Sequence, residues 1–575
     1  MNKLDRDTVN EGISAISTYS VDRHKSPPEI IMPRQFNAAH DLLERNINEG
    51  RADKIAYIDD NGSYTFQDLV DRANQTANAL TDLGLVMEDR LMIIQTDTVD
   101  FPATFLGAIK VGIIPIAVNT LLTSDDYEFM LDDSRAKALI VSSSFITKLT
   151  PAIEKSKYLK HTIVSGEAAS PYEHLQTLQR DADRACEPAL TSSDDTCFWL
   201  YSSGSTGTPK GTVHIHSSLA YTAELYAVPI LGIKEDDIVF SAAKLFFAYG
   251  LGNGLTFPLT VGATTVLMAE RPTPAAVFKR LKTHQPTIFY GVPTLFGAML
   301  ASDDLPDQSE ISIRISTSAG EALPSDIGTR WTQHFGTEIL DGIGSTEMLH
   351  ILLSNRSGEV KYGSTGRAVP GYEIRLLDET GAGVVVGELG DLQIKGPSAA
   401  NLYWNQRRKS RETFCGEWTR AGDKYSVDKD GFYTYGGRSD DMLKVSGLYV
   451  SPFEVEAILM SHAAVLEAAV VGDEDADKLI KELRSRLAEK NMETGKLYVK
   501  LKAYDSAIVS YKIVINDFYD TKFFEDANIE VIRCLSLLNK KDEAKQFLLN
   551  LEKNEKSVVT DSFKKKALGV IKDNS

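Results

Sequence analysis

Glycine and proline are distributed in two different ways along the 575 residues. The first 472 carry all 20 prolines and 38 of the 40 glycines, and the last 103 carry only Gly495 and Gly569. Proline fixes φ and removes a backbone donor, and glycine opens the left-handed region. A segment punctuated by both must turn often, whereas one without them can run in long helices. Charge changes at the same place. Residues 473–575 hold 20 basic and 19 acidic side chains, a net +1, against 42 and 61, a net −19, before them. The chain is therefore expected to join two differently built parts.

In the first part, short β-branched runs such as RLMIIQ (90–95), ALIVSS (138–143) and TIFYGV (287–292) alternate with helical stretches such as FQDLVDRANQTANALTDLG (66–84). That alternation predicts α/β layers around largely parallel sheet. In the second part, Leu479, Ile480, Leu483 and Leu487 recur at helical spacing. LKAYDSAIVSY (501–511) aligns with LNKKDEAKQFL (538–548) at an offset of 37 residues, pairing Leu501 with Leu538 and Ala507 with Ala544. A repeat of that length, with small residues where helices cross, predicts stacked helix hairpins of the tetratricopeptide kind. The expected division is a large domain over 1–436, a hinge and the start of a truncated small domain over 437–472, and the helical tail over 473–575.

The net charge of −18 argues against bulk nucleic-acid binding. No run of about 18 apolar residues is available to span a membrane, and the N-terminal MNKLDRDTVNEG lacks the apolar core of a secretory signal. Cys186, Cys197, Cys415 and Cys534 have no CxxC spacing, so reduced thiols in a cytoplasmic protein are expected.

The chemistry concentrates in SSGSTGTPKG (202–211). Backbone N–H groups freed from side-chain bulk by glycine form an anion nest, hydroxyls add donors, and Lys210 adds a positive charge. Phosphate is the expected guest, although the spacing is not that of a Walker A loop. DTCFWLY (195–201) leads into the loop as a buried strand, and a nest after a strand is where α/β folds bind ligands.

This loop resembles the phosphate loop of the acyl-adenylate-forming superfamily, and further stretches in the superfamily's order extend the resemblance over residues 30–472. SAGEAL (318–323) resembles its adenine-binding segment, DGIGSTE (341–347) its magnesium motif, TRAGD (419–423) its ribose motif and GRSDDMLKVSGLYVSPFEVE (437–456) its hinge region. The resemblance implies a fold of layered α/β subdomains with a small β-barrel, followed by a mobile small domain. It implies ATP, Mg²⁺ and CoA as cofactors. Ser202, Ser203, Gly204, Ser205, Thr206, Gly207 and Lys210 would hold the β- and γ-phosphates. Gly320, Glu321, Ala322, Asp341 and Gly342 would line the nucleotide. Thr346 would donate to the α-phosphate, Glu347 would carry Mg²⁺, Asp423 would accept from both ribose hydroxyls, and Arg438 would lie near ribose and phosphate. Lys444 and Gly447 would serve the thiol step, and Asp440 would be the hinge. Many relatives have an aromatic residue where Asp341 stands, which leaves the adenine's stacking partner open.

KLFFAYGLGNGLTFPL (244–259), DGIGSTEMLHI and DDMLKVSGLYVSPFEVE resemble benzoate-CoA ligases in particular. In that subfamily Ala248 and Tyr249 would line a short aryl pocket. A flat apolar acid needs an aromatic wall and small neighbours. Tyr249 would supply the wall, Gly320, Ile343 and Gly344 would border the pocket, and His350 would sit beside the ring. An aromatic carboxylic acid is the expected substrate, with CoA as acyl acceptor.

Beyond about Gly472 the superfamily pattern stops, and with it the lysine loop of the small domain. ETGKL (493–497) reads as part of a helix, and its Lys496 stands only 56 residues past Asp440, so Lys496 is not expected to replace that lysine. The tail resembles the outer-membrane lipoprotein of the barrel-assembly machinery, without its lipidation signal. A fusion is inferred, with an aryl-CoA ligase body expected to be impaired. The alternative is an interaction protein whose tail binds a protein partner.

Overall fold

The computed structural model describes residues 16–202, 209–439, 443–445, 448–450, 452, 455–456, 459, 470, 473–552 and 561–573. Two compact units emerge, Met1–Met442 and Leu443–Ser575.

Among the described residues, the first unit holds a small two-stranded sheet, Ser20–Asp22 with Glu29–Ile31, and three large ones. One has eight strands in the order Leu402–Tyr403, Lys210–Ile215, Thr196–Ser202, Ile114–Ala117, Arg90–Ile94, Ala138–Ser142, His161–Ser165 and Glu173–His174. The second has nine: Arg367–Ala368, Ile351–Ser354, Ile339–Gly344, Ile315–Ser318, Ile288–Gly291, Ile238–Ser241, Thr264–Val266, Ile55–Asp59 and Gly62–Thr65. In both the centre is parallel; antiparallel pairings close both ends of the nine-stranded sheet and the Leu402–Tyr403 end of the eight-stranded one. The central strands are buried on both faces, Ala138–Ser142 throughout, which is why they read as unbroken β-branched runs rather than alternating ones. The third sheet, five antiparallel strands from Glu373–Leu377 to Tyr433–Arg438, follows in sequence.

Helices cover the parallel sheets. Phe66–Asp82 starts at a capping box in which Thr65 and Asp68 exchange side-chain and backbone hydrogen bonds. It packs on Asp100–Lys110, where a Cβ on Gly107 would come within 2.5 Å of the Ala73 carbonyl. Glycine there sets how closely the two helices cross.

In the second unit the described residues form an antiparallel strand pair, Leu443–Val445 with Leu448–Val450, and the helices Asp473–Lys500, Tyr504–Asp517, Phe524–Leu537, Lys541–Glu552 and Asp561–Asp573. Successive helices pack on one another. The repeat offset of 37 carries Tyr504 onto Lys541, the first residues of two of these helices, and Ala507 and Ala544 are both fully buried. Leu501 and Leu538 are less alike, since Leu501 is exposed and Leu538 packs against the core.

ETGKL lies inside Asp473–Lys500, and Lys496 pairs with Glu493 on the same helix at 2.7 Å. Gly495 is buried there, and a Cβ would reach within 2.4 Å of the Tyr511 ring. Gly495→Ala is therefore expected to overpack the tail core and destabilise it by about 1–3 kcal/mol. Lys496→Ala, which removes an exposed i,i+3 pair, should change stability by less than about 0.5 kcal/mol. Amide hydrogen exchange across 484–517 distinguishes the two.

Candidate active site

The strand Ile339–Gly344 ends at the carboxyl edge of the nine-stranded sheet, and the chain turns through 345–350 before returning antiparallel as Ile351–Ser354. Gly344 makes that return possible. A Cβ there would lie 2.4 Å from the His350 carbonyl oxygen, so its smallness accommodates backbone rather than substrate. Gly320 is required for another reason, its φ of +92°.

Glu347, on this turn, is held by the other large sheet. Tyr403, on the edge strand Leu402–Tyr403, donates its hydroxyl to Glu347 Oε1 at 2.7 Å. Ser202, at the end of the strand that leads into the loop, donates to the same oxygen at 3.3 Å. Main-chain atoms are fixed as well: Ala400 N donates to the Glu347 carbonyl (2.7 Å) and His214 Nε2 donates to the Thr346 carbonyl (2.7 Å). Burial holds His214 neutral, with its pKa lowered to about 4. Lys210 Nζ lies 4.6 Å from the centre of the Tyr403 ring, a cation–π contact. Burial and the Glu347 charge push the Tyr403 phenol far above its usual range, so it stays a donor.

Asp423 and Arg438 face each other across two paired strands, with Arg438 Nη1 3.3 Å from Asp423 Oδ1. Asp423 is buried. Desolvation raises its pKa to about 6 against the lowering effect of Arg438, with a small further push from the Glu347 charge.

Next to this carboxylate-lined region lies a cavity of about 870 Å³. Ala248, Tyr249, Gly320, Gly344, Thr346 and His350 all line it. Tyr249 lies in the first turn of a helical passage, Ala248–Val261, whose middle turn Gly252–Thr256 is of the wide π type. Its hydroxyl meets Thr317 Oγ1 at 2.5 Å. His350 Nε2 approaches two oxygens, the Tyr249 carbonyl at 3.3 Å and Asn253 Oδ1 at 3.2 Å. The proton therefore sits on Nε2. Burial lowers the His350 pKa to about 3, so the ring is an uncharged wall. Tyr226, Tyr249 and Phe257 surround it with centroids 5.4, 5.6 and 4.4 Å away. Gly252 leaves its space, since a Cβ would come within 2.4 Å of the imidazole.

The other residues singled out from sequence fall as follows. Asp341 is buried in its strand beside Ser318 and its carboxyl is pushed well up by burial. Gly342 is buried against Leu353, and Ile343 is half-buried on the core. Glu321 is exposed and Ala322 half-buried, just past Gly320. Ser203, Gly204, Ser205, Thr206, Gly207, Asp440 and Gly447 lie outside the described residues, as does the side chain of Lys444. Sequence reading did not single out Tyr403, His214, Asn253 or Thr317. Tyr403 carried no motif, and only its place on an edge strand brings it to Glu347.

One carboxylate held by hydroxyls, with no cluster of three metal-ligating side chains among the described residues, suits Mg²⁺, which takes most of its ligands from phosphate oxygens and water. Such an arrangement belongs to proteins that bind a nucleotide at the edges of two α/β layers. The chain belongs to the AMP-binding enzyme family, which matches residues 43–404. It is 60% identical to a benzoate–CoA ligase of Thauera aromatica over 467 residues, 81% of this chain and 88% of that protein. It is 47% identical to a 4-hydroxybenzoate–CoA/benzoate–CoA ligase of Rhodopseudomonas palustris over 490 residues, 83% and 89% of the two chains. Among solved structures, a benzoate CoA ligase from Burkholderia xenovorans LB400 superposes with a TM-score of 0.72 at 58% identity, covering 76% and 86%. An anthranilate CoA ligase bound to anthranoyl-AMP gives 0.74 at 41% identity, covering 77% and 85%. Residues 473–547 match a different family, YfiO, described as an outer membrane lipoprotein. No helix among the described residues is long and apolar enough to cross a membrane.

If Asp423 accepts from ribose hydroxyls, AMP affinity should fall as pH drops through about 6, because a protonated carboxyl accepts less well. Asp423→Asn should bind weakly at every pH and lose this limb. Calorimetric titration between pH 5.5 and 8 reads both.

Proposed function

We propose that the chain activates a benzoate-like aromatic carboxylate with ATP, forming an acyl-adenylate and pyrophosphate, and passes the acyl group to CoA. The observation that carries this reading is the single cavity that joins an apolar, uncharged end at Ala248, Tyr249 and His350 to Gly320 and Thr346 beside Glu347. The substrate classes in the names of the relatives agree with it. A benzoate ring placed against Tyr249 directs its carboxylate toward Thr346. There, one carboxylate oxygen would form the new bond to the α-phosphorus as the bond to the pyrophosphate oxygen breaks. Two anions must meet, so positioning and charge neutralisation dominate.

Thr346, whose carbonyl is anchored by His214, would donate to the α-phosphate. Lys210 and the loop from Ser202 to Gly207 would hold the outgoing phosphates. Glu347, oriented by Tyr403 and Ser202, would hold Mg²⁺, which supplies neutralisation of phosphate charge when bound. Asp423 and Arg438 would hold ribose and phosphate. The neutral His350 suits an uncharged ring face.

We read the chain as a large domain (1–436), a hinge and truncated small domain (437–472) and a tail (473–575), acting in the cytoplasm. The four cysteines are free thiols. The segment that carries a catalytic lysine in the superfamily is replaced by helices, so both half-reactions should be slow. Losing one preorganised charge costs about 10²–10³ in rate.

Incubation with benzoate, ATP and CoA, followed by mass spectrometry, should show benzoyl-AMP and a smaller amount of benzoyl-CoA. A preference for palmitate would overturn the aryl assignment. Tyr403→Phe should lower kcat/KM for Mg·ATP about tenfold, since a hydrogen bond to a charged group is worth roughly 1.5–3 kcal/mol. Lys496→Ala should leave pyrophosphate release unchanged.

A further inference from the structure

The first tail helix, Asp473–Lys500, has two apolar faces. Ala488, Met492 and Gly495 are buried on one, where the helix packs against Tyr504–Asp517. The other carries Leu483, Leu487, Leu497 and, just past the end, Leu501, which are 48, 48, 55 and 65% exposed. At about 100° per residue, these four fall within a stripe about 80° wide, turned roughly 150° from the buried face. Leu479 and Ile480, expected from sequence to share a stripe with Leu483 and Leu487, have side chains outside the described residues. Outer faces of terminal repeats in stacked helical arrays are ordinarily polar. This one carries two i,i+4 leucine pairs that fall on the 3–4 register of a helix-packing seam, with Lys490 and Thr494 at the two positions between them.

The seam is palindromic. Its positions are 483, 487, 490, 494, 497 and 501, with steps of four, three, four, three and four. Reversing the helix about residue 492 places Leu483 on Leu501, Leu487 on Leu497 and Lys490 on Thr494. All four leucines then meet leucines, and the polar pair falls together at the centre, where the Lys490 stem can cover apolar surface while its amine reaches water. An isologous interface requires this kind of self-complementarity. An unrelated partner would have no reason to mirror it.

We propose that this outer face is a self-association seam, on which the same helix of a second copy packs antiparallel about a two-fold axis near Met492. A seam of two helices and eight leucines is small for a stable interface, so the dimer should be weak and dissociate on dilution.

The test uses the full chain. Sedimentation velocity should show a dimer whose fraction rises with concentration in the micromolar range. Leu487→Glu with Leu497→Glu should raise its dissociation constant roughly a hundredfold, as for loss of central apolar anchors, with unchanged circular dichroism. A chain that stays monomeric throughout, or a dimer that persists in the double variant, would overturn the proposal. Orientation is tested in a background with Cys186→Ser and Cys415→Ser, the other two cysteines being buried. Leu487→Cys and Leu497→Cys chains should cross-link when mixed but not when each is oxidised alone. Efficient cross-linking of either chain with itself would show parallel pairing and refute the antiparallel seam. Because no readout involves aryl-acid activation, failure here is distinguishable from failure of the proposed enzymatic activity.

Discussion

The hydrogen bonds from Tyr403 and Ser202 to one oxygen of Glu347 tie together parts of the chain that start from different sheets. Glu347 leaves the nine-stranded sheet, and its two donors belong to the eight-stranded one. Glu347 is half-buried, and hydrogen bonds to a charged group are among the stronger ones, so these hydroxyls fix both the position of the charge and the closeness of the two layers. The same turn is held at its backbone by His214 and Ala400, which orients Thr346. Lys210, lying over the Tyr403 ring, ends the phosphate loop on the same edge strand pair. The proposed phosphate and metal groups thus depend on one seam between sheets.

The end of the cavity at Tyr249 and His350, proposed for the aryl ring, is organised on the opposite principle, the removal of charge. His350 touches two oxygens through one nitrogen and is buried among three aromatic rings, so its proton is fixed and its charge absent. Tyr249 is occupied by Thr317. The wide turn at Gly252–Thr256 brings Asn253 to the histidine and leaves space for it, in keeping with the placement of such turns at functional sites. An uncharged, close-walled end beside a charged one is what an amphipathic acid requires if its ring is to be buried and its carboxylate presented.

The strands at 90–94, 138–142 and 288–291 and the helix at 66–82 were legible because burial on both faces selects β-branched runs and amphipathic spacing selects helices. The helical nature of the tail was legible from its missing prolines and glycines. What sequence left open came from contacts distant in the chain. Tyr403 reaches Glu347 across 56 residues, and His214 reaches Thr346 across 132. Gly344 illustrates the difference: its presence in a motif was readable, but its physical reason, the approach of the His350 carbonyl, requires the returning strand. Leu483 and Leu487 were read as a packing stripe, and they do form one, turned outward, because helical periodicity defines a face without saying which side is covered.

The central claim is that one cavity brings an aromatic carboxylate to the α-phosphate of ATP without help from the tail. It is tested most directly by benzoate-dependent exchange of labelled pyrophosphate into ATP, in the absence of CoA, in the full chain. The account predicts exchange that requires Mg²⁺, saturates with benzoate and is lost in Glu347→Gln. Absence of exchange with every aryl acid while ATP still binds, or exchange supported equally by palmitate, would contradict it.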